Sequence, residues 1–445
     1  MYYKKTVFLV AGLQKSGVSA TKFLLKKGAK VFIYDMRSTE EIAFNIDILI
    51  SLGAIFVSDY NSIINEVDVL LISPGVPIDS DICVTYKNAG KRITGELELG
   101  FNEVNIPIIA VTGTNGKTTV SSLLHNVLLS SGVDSLLAGN IGVPITEVAS
   151  KSSDYEVMVL EVSSYQLETT YSFIPHVSII LNITPDHLDR HYTMENYTLV
   201  KSKLILPQKE SEFCILNYDD LVVRKLSSLT KAKVIWFSTK QRVNGAYLED
   251  NKIYFNCEEI ISISDLFLKE RHNIENTLAT ICALKALKID NLCINKGLKE
   301  FKGVKHRLQK VRTIGSVTFI NDSKSTNPDS TIKAIESLQE NSVIIVGGSD
   351  KGLDYTEMFE CIKSSNKIKN TVITGSNAGI MVSYAGKVGL DGISVCKDFS
   401  DAVKLAYKLC QEGVVLLSPG TASFDEFKNF EERGDKFVSI VESLS

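Results

Sequence analysis

Short runs of β-branched and apolar residues recur along this chain, each closed by Gly, Pro, Asn, Asp or Ser and followed by a segment of helical period. TVFLVAG opens the pattern at Thr6, KVFIYD ends at Asp35, and VDVLLI stops at Ser73-Pro74-Gly75. IIAVT runs into a glycine-rich turn at Gly113, VMVLE ends at Glu161, and VSIILN ends near Asn182. VTFIND ends at Asp322, SVIIVGG leads to Asp350 and Lys351, and VVLLSPG leads to Ser423 before a predicted helix. Val18 to Lys27 and the 197–205 stretch carry helical periodicity. An apolar run that hands over through turn residues to a period of 3.6 is a βα unit. Successive βα units pack as parallel sheets with helices on both faces, and ligands gather at the carboxyl ends of the strands. The expected fold class is therefore α/β. Its three domains are a Rossmann-like N-terminal domain (1–95), a central P-loop ATPase-like domain (96–303) and a C-terminal Rossmann-like domain (304–445).

Composition narrows the function. At 445 residues, 44% hydrophobic and 22% charged, the chain has enough apolar material for several cores. A net charge of −4 without a long basic run argues against a nucleic-acid or anionic-membrane surface. The N-terminal MYYKKTVFLVAGL places two lysines before an apolar run, but that run is too short for a signal peptide and has no cleavage site. No stretch has the length of a transmembrane span. The eight cysteines (Cys83, Cys214, Cys257, Cys282, Cys293, Cys361, Cys396 and Cys410) form no Cys-x-x-Cys pair. They read as reduced thiols of a cytoplasmic protein, with no zinc site.

The chemistry concentrates at strand ends. In Gly113-Thr114-Asn115-Gly116-Lys117-Thr118 two residues separate the glycines, where the usual P-loop has four. Such a turn aims backbone N–H groups and a helix N-terminus at a polyphosphate. Lys117 can reach the β- and γ-phosphates, and Thr118 a Mg²⁺ ion. Glu161, closing a buried strand, stands where P-loop proteins keep a metal-linked acid. Asp186, His187 and Asp189 share a later strand-end turn, whereas Lys201 on its helix reads as an ordinary solvated residue. In the first segment Gly12 and Gly17 do not form a dinucleotide fingerprint, but Asp35 can hold a nucleoside. In the last segment the loops with Lys324, Lys351 and Ser423 converge on one sheet edge and suit carboxylates or phosphate. These parts fit phosphoryl transfer. They leave open whether the acceptor is a hydroxyl, a carboxylate or water, and a nucleotide-dependent binding protein stays in play.

Five motifs carry a resemblance across the whole chain: GTNGKTT (113–119), LEVSSYQLE (160–168), LNITPDHLDRH (181–191), RHNIEN (271–276) and Lys305-His306-Arg307. The chain resembles the Mur ligases, the ATP-dependent amino-acid-adding enzymes of peptidoglycan synthesis. NDSKSTNP (321–328) and SPGTASFDEFKNFEERGDKF (418–437) resemble the branch that adds D-glutamate to UDP-N-acetylmuramoyl-L-alanine. Sibling ligases, including folylpolyglutamate synthases, share the short P-loop.

The resemblance implies a monomer using ATP and two Mg²⁺ ions, with no nucleic acid and no membrane insertion. It implies that the substrate carboxylate is activated as an acyl phosphate, and that the D-glutamate amine then displaces phosphate through a tetrahedral intermediate. It places Gly113, Thr114, Asn115, Gly116, Lys117, Thr118 and Thr119 on the ATP phosphates. Thr118 and Glu161 would share one Mg²⁺, and His187 the other, with Lys201 carboxylated on its amine. Asn273, Asn276, Arg307, Asp322 and Lys324 would complete the ATP site. Gln14, Lys15, Ser16, Asp35, Arg37, Ser73, Pro74 and Gly75 would hold the UDP moiety, and Asn140, Ser163 and His187 the muramoyl part. Thr326, Lys351, Ser423, Phe424 and Phe430 would frame D-glutamate.

Overall fold

The computed structural model describes residues 3–37, 40–350 and 352–444, so Lys351 lies outside the described residues. The apolar runs become strands of three sheets. The first sheet is wholly parallel, in the order Ile55–Phe56, Lys30–Tyr34, Val7–Ala11, Val69–Ile72, Arg92–Gly95. The chain winds outward from Val7–Ala11 and then returns to its other side. That reversal opens the crevice in which doubly wound sheets bind ligands, between the turns after Ala11 and after Ile72.

The second sheet has nine strands. Ile108–Thr112 lies between Val157–Glu161 and Val177–Ile180, which brings the glycine turn, Glu161 and the His187 turn to one edge. Lys252–Phe255 pairs antiparallel with both Gly245–Glu249 and Glu258–Ser262, a hairpin extension the βα pattern does not predict. The third sheet runs Gln309–Ile314, Val317–Asn321, Gly413–Leu417, Ser342–Gly347, Ile368–Thr374, Ile393–Val395. Only its first strand is antiparallel to its neighbour, being the arm of a hairpin.

Helices cover both faces of the sheets, and their buried Leu, Ile, Val and Phe side chains form separate cores, two of them on opposite faces of the third sheet. The chain divides into two compact units, 1–302 and 303–445, the first containing two of the sheets.

Two helix boundaries differ from the periodicity, and a third is set by its cap. The first helix begins at Lys15, not Val18, because the Val18 N–H already donates to the Gln14 carbonyl at 2.9 Å and closes a turn before it. The helix carrying Lys201 is Met194–Ser202, started by Thr193, whose side chain accepts the Asn196 N–H. The last helix begins only at Phe430, where the Asn429 side chain caps it by accepting the Glu432 N–H. Ser423 therefore sits in an irregular loop before that helix. Among the described residues no helix is long and apolar enough to cross a membrane.

Candidate active site

The turn after Ile108–Thr112 is built around glycine. Gly113 (φ 154°) and Gly116 (φ 87°) occupy the left-handed region, and a Cβ on Gly116 would stand 2.4 Å from the Asn276 side-chain oxygen. The helix Arg271–Ala286 is thereby packed against the turn. Asn276 donates to Asn273 (3.3 Å), which donates to Glu270 (2.9 Å), so both asparagines face the same corner. Beside them opens a cavity of about 320 Å³ lined by Asn115, Gly116, Leu181, Asn182, Phe237, His272, Glu275 and Asn276. Thr118 and Thr119 lie in the first turn of the helix Lys117–Ser130, whose N-terminus points toward the glycine turn. Lys117 folds back onto the turn, donating to the carbonyls of Gly113 (2.9 Å) and Thr114 (2.8 Å).

Glu161 is buried at the end of its strand. Asn140 donates to its Oε1 at 2.7 Å, but Oε2, sealed from solvent, finds no hydrogen-bond partner among the described residues. A buried anionic oxygen without a donor is costly and calls for a cation. Mg²⁺ in nucleotide sites takes one or two carboxylates and completes its shell with substrate phosphates and water, so Glu161, ending the strand next to the one that leads into the glycine turn, fits it.

Lys201, expected to be solvated, is 1% exposed. Its amine donates to the Gly113 carbonyl at 2.9 Å and lies 4.6 Å above the Tyr197 ring. Burial, reinforced by the Lys117 ammonium, pulls this amine down to about 7. Tyr197 and Lys201 are one helical turn apart, the signal that pairs them. The Tyr197 hydroxyl bonds Thr114 Oγ1 at 3.2 Å and so ties the helix to the glycine turn. His187 is half exposed, its Nδ1 2.9 Å from the Tyr165 hydroxyl. Ser163 caps the short helix Ser164–Leu167 in a reciprocal capping box with Gln166.

At the first sheet, Gly12 and Gly17 let the turn close. A Cβ on Gly17 would meet the Gly12 carbonyl at 1.8 Å, and Ser73 Oγ donates to that same carbonyl. Gln14 and Lys15 are exposed and Ser16 half-buried; Lys15 donates to the Gly142 carbonyl. Pro74 and Gly75 form the outer part of the Ser73 turn. Asp35 is already engaged. It accepts from Leu13 N (2.7 Å), Arg37 N (3.0 Å) and the Arg37 side chain (3.0 and 2.8 Å). Burial alone would raise its pKa, but these donors hold it below the ordinary carboxylate value.

In the second unit the three strand-end loops meet. Asp322 is buried and pushed up to about 6 by desolvation, against the pull of its donors. Its Oδ1 accepts from Leu308 N at 3.1 Å, and its Oδ2 from the hydroxyls of Ser325 and Ser418. Arg307 is exposed, while Lys324 and Thr326 are half-buried. Lys324 and His306 both approach the Phe430 ring, at 6.0 and 6.4 Å. Ser423 is buried and Phe424 exposed. Arg433 escaped the motif reading, yet it is the largest fully buried side chain. Its guanidinium donates to Ser323 Oγ and O and to the carbonyls of Thr421 and Ala422, at 3.0–3.1 Å, joining two of the loops. The third loop is joined through Ser349 N, which donates to the Ala422 carbonyl at 3.0 Å.

Family models match three stretches: Mur ligase MurD-like N-terminal domain over 6–95, Mur ligase middle domain over 111–284, and Mur ligase glutamate ligase domain over 306–421. The chain is 41% identical over 444 residues to the UDP-N-acetylmuramoylalanine--D-glutamate ligase of Clostridioides difficile (strain 630), covering 98% of both chains. It is also 41% identical over 456 residues to the enzyme of that name from Thermoanaerobacter sp. (strain X514), covering all of both. Among solved structures, MurF from Acinetobacter baumannii matches with TM-score 0.58 at 18% identity (94% and 91% covered). UDP-N-acetylmuramate-alanine ligase MurC from Thermotoga maritima matches with TM-score 0.55 at 18% identity (98% and 99% covered). The structural matches establish a shared three-domain fold.

Proposed function

The chain belongs to the Mur ligase family, and we propose that it joins D-glutamate to UDP-N-acetylmuramoyl-L-alanine at the expense of ATP. The observation that carries the ATP half is the buried Glu161 carboxylate, one oxygen unpartnered, beside the short glycine turn. The choice of D-glutamate rests on the full-length similarity to relatives bearing that name.

In this reading the backbone of residues 113–119 holds the ATP phosphates. Lys117 leaves the carbonyls of its own loop to neutralise charge building on the transferred phosphoryl group. Asn273, Asn276 and the cavity beside them receive the nucleoside. Thr118, Glu161, His187 and Lys201 would hold Mg²⁺, which would supply electrostatic stabilisation of the phosphates. The precursor carboxylate attacks the γ-phosphate and ADP leaves. The D-glutamate amine adds to the resulting acyl phosphate, loses its proton, and expels phosphate from the tetrahedral intermediate.

The Lys201 side chain serves as a carbamate. A buried amine pulled down to about 7 has a free lone pair for CO₂, and the product is an anionic oxygen ligand with release of one proton. Asn140 orients Glu161 and also faces the muramoyl side. Arg37, held by Asp35, and the Ser73 turn bind the uridine diphosphate. Arg307, Asp322 and Lys324 serve the nucleotide, while Thr326, Lys351, Ser423, Phe424 and Phe430 serve D-glutamate.

A phosphate-release assay with ATP and UDP-N-acetylmuramoyl-L-alanine across a panel of amino acids tests the reading. Release should require D-glutamate. Equal release with L-lysine or diaminopimelate would overturn it.

A further inference from the structure

Two side chains outside the proposed chemistry connect the Ser73 turn of the first sheet to the His187 turn of the second. Arg190 places Nε 3.1 Å from Glu168 Oε1 and grips the other carboxylate oxygen through Nη2. The same Nη2 donates to the Val76 carbonyl at 2.9 Å. Both side chains of this pair are nearly buried, 10% and 6% exposed. The guanidinium also lies 5.0 Å over the Tyr165 ring, whose hydroxyl meets His187 Nδ1 at 2.9 Å. A second tie runs from the Tyr192 hydroxyl to Asp79 Oδ2.

The segment between these ties has an unfavourable backbone. His187 (φ 54°) stands in the left-handed helical region and Tyr192 (φ 65°, ψ −43°) outside it, both at positive φ, which non-glycine residues keep only when their surroundings impose it. The helix they bracket, Leu188–His191, is a single turn. Its shape is therefore set from outside, by Glu168 below and by residues 76 and 79 across the domain boundary.

We infer that Arg190, assisted by Tyr192, is a positioning residue that couples occupancy of the 73–79 turn by the UDP-linked precursor to the orientation of His187. The inference rests on the function proposed above. A ligand that fixes the 73–79 turn fixes the Val76 carbonyl and Asp79, and through them the turn that carries the imidazole. Coupling of this kind is reciprocal, so a divalent cation at His187 must strengthen precursor binding by the same factor.

The test uses the full chain without nucleotide. Precursor affinity is measured calorimetrically with and without Mn²⁺, and Mn²⁺ affinity by electron paramagnetic resonance with and without precursor. In the wild-type chain each ligand should tighten the other by about fivefold or more. Arg190→Gln should reduce that mutual effect to less than about twofold and leave KM for ATP and D-glutamate unchanged. Arg190→Lys, which keeps the charge but not the fork, should recover part of it. Tyr192→Phe and Asp79→Asn alter an exposed contact without threatening the core, and each should remove a smaller share. A wild-type chain that binds no precursor overturns the functional reading together with this inference. Precursor and Mn²⁺ binding without mutual effect, or coupling that survives both Arg190→Gln and Tyr192→Phe, overturns the inference alone.

Discussion

Glu161 and Asp322 are both buried carboxylates at strand ends, yet their surroundings differ. Glu161 has one oxygen on Asn140 and the other without a donor among the described residues, whereas both oxygens of Asp322 accept hydrogen bonds from its own unit. A buried lysine of the first unit and a buried arginine of the second follow the same division. The Lys201 amine donates to the Gly113 carbonyl and is pulled toward neutrality, while the Arg433 guanidinium donates to five acceptors on Ser323, Gly347, Thr421 and Ala422. An incompletely satisfied buried charge marks a place where a ligand is expected; a satisfied one marks a frame. The first unit thus carries the reactive corner and the second a prebuilt edge.

The sharpest attempt to break this comparison is Lys117→Ala. It should lower ATP-dependent phosphate release by about a hundredfold to a thousandfold while precursor binding, measured calorimetrically, is retained. Unchanged turnover would remove the glycine turn from the chemistry. Lys201→Ala should cost somewhat less, about a hundredfold. Added acetate or formate should return part of the rate, because a small carboxylate can occupy the place of the carbamate. Absence of rescue in kinetic assays would count against the carbamate.

On the frame side, Arg433→Lys should destabilise the chain by about 2 kcal/mol in urea unfolding, since the single ammonium leaves buried carbonyls without donors. A shift below about 0.5 kcal/mol would show that the loops do not need the fork.

The smallest effect concerns Glu96, buried where its carboxylate accepts the Thr146 N–H and hydroxyl, both at 2.7 Å. Desolvation raises it from its ordinary 4.5 to about 7. The folded chain therefore binds this proton more tightly than the unfolded chain. The associated stability is fully present below pH 4.5 and is lost as pH rises through about 7. Glu96→Gln should flatten the decline of the urea midpoint across that window relative to wild type.

Much of the reactive corner was legible in the sequence. The glycine turn and the acidic end of Val157–Glu161 are local features, produced by residues adjacent in the chain. Lys201 was not legible from its residues, because its spacing on Met194–Ser202 fits a solvated position equally well; only packing under Gly113 and Tyr197 buries it. Asp35 shows the opposite limit. Its place at a strand end was readable, but its commitment to Leu13 and Arg37 depends on how the next turn folds back. Arg433 lay inside a quoted motif, and nothing in that run distinguishes a buried fork from a surface arginine.

The sequence by itself determined where strands end, which turns need glycine, and hence which residues stand at the ligand edges, because backbone sterics and hydrophobic period act over a few residues. Tertiary structure decided which of those polar groups are left wanting a partner. Burial, desolvation and hydrogen-bond satisfaction depend on segments far apart in the chain, as Glu161 with Asn140, Lys201 with Gly113, and Arg190 with Val76 each show.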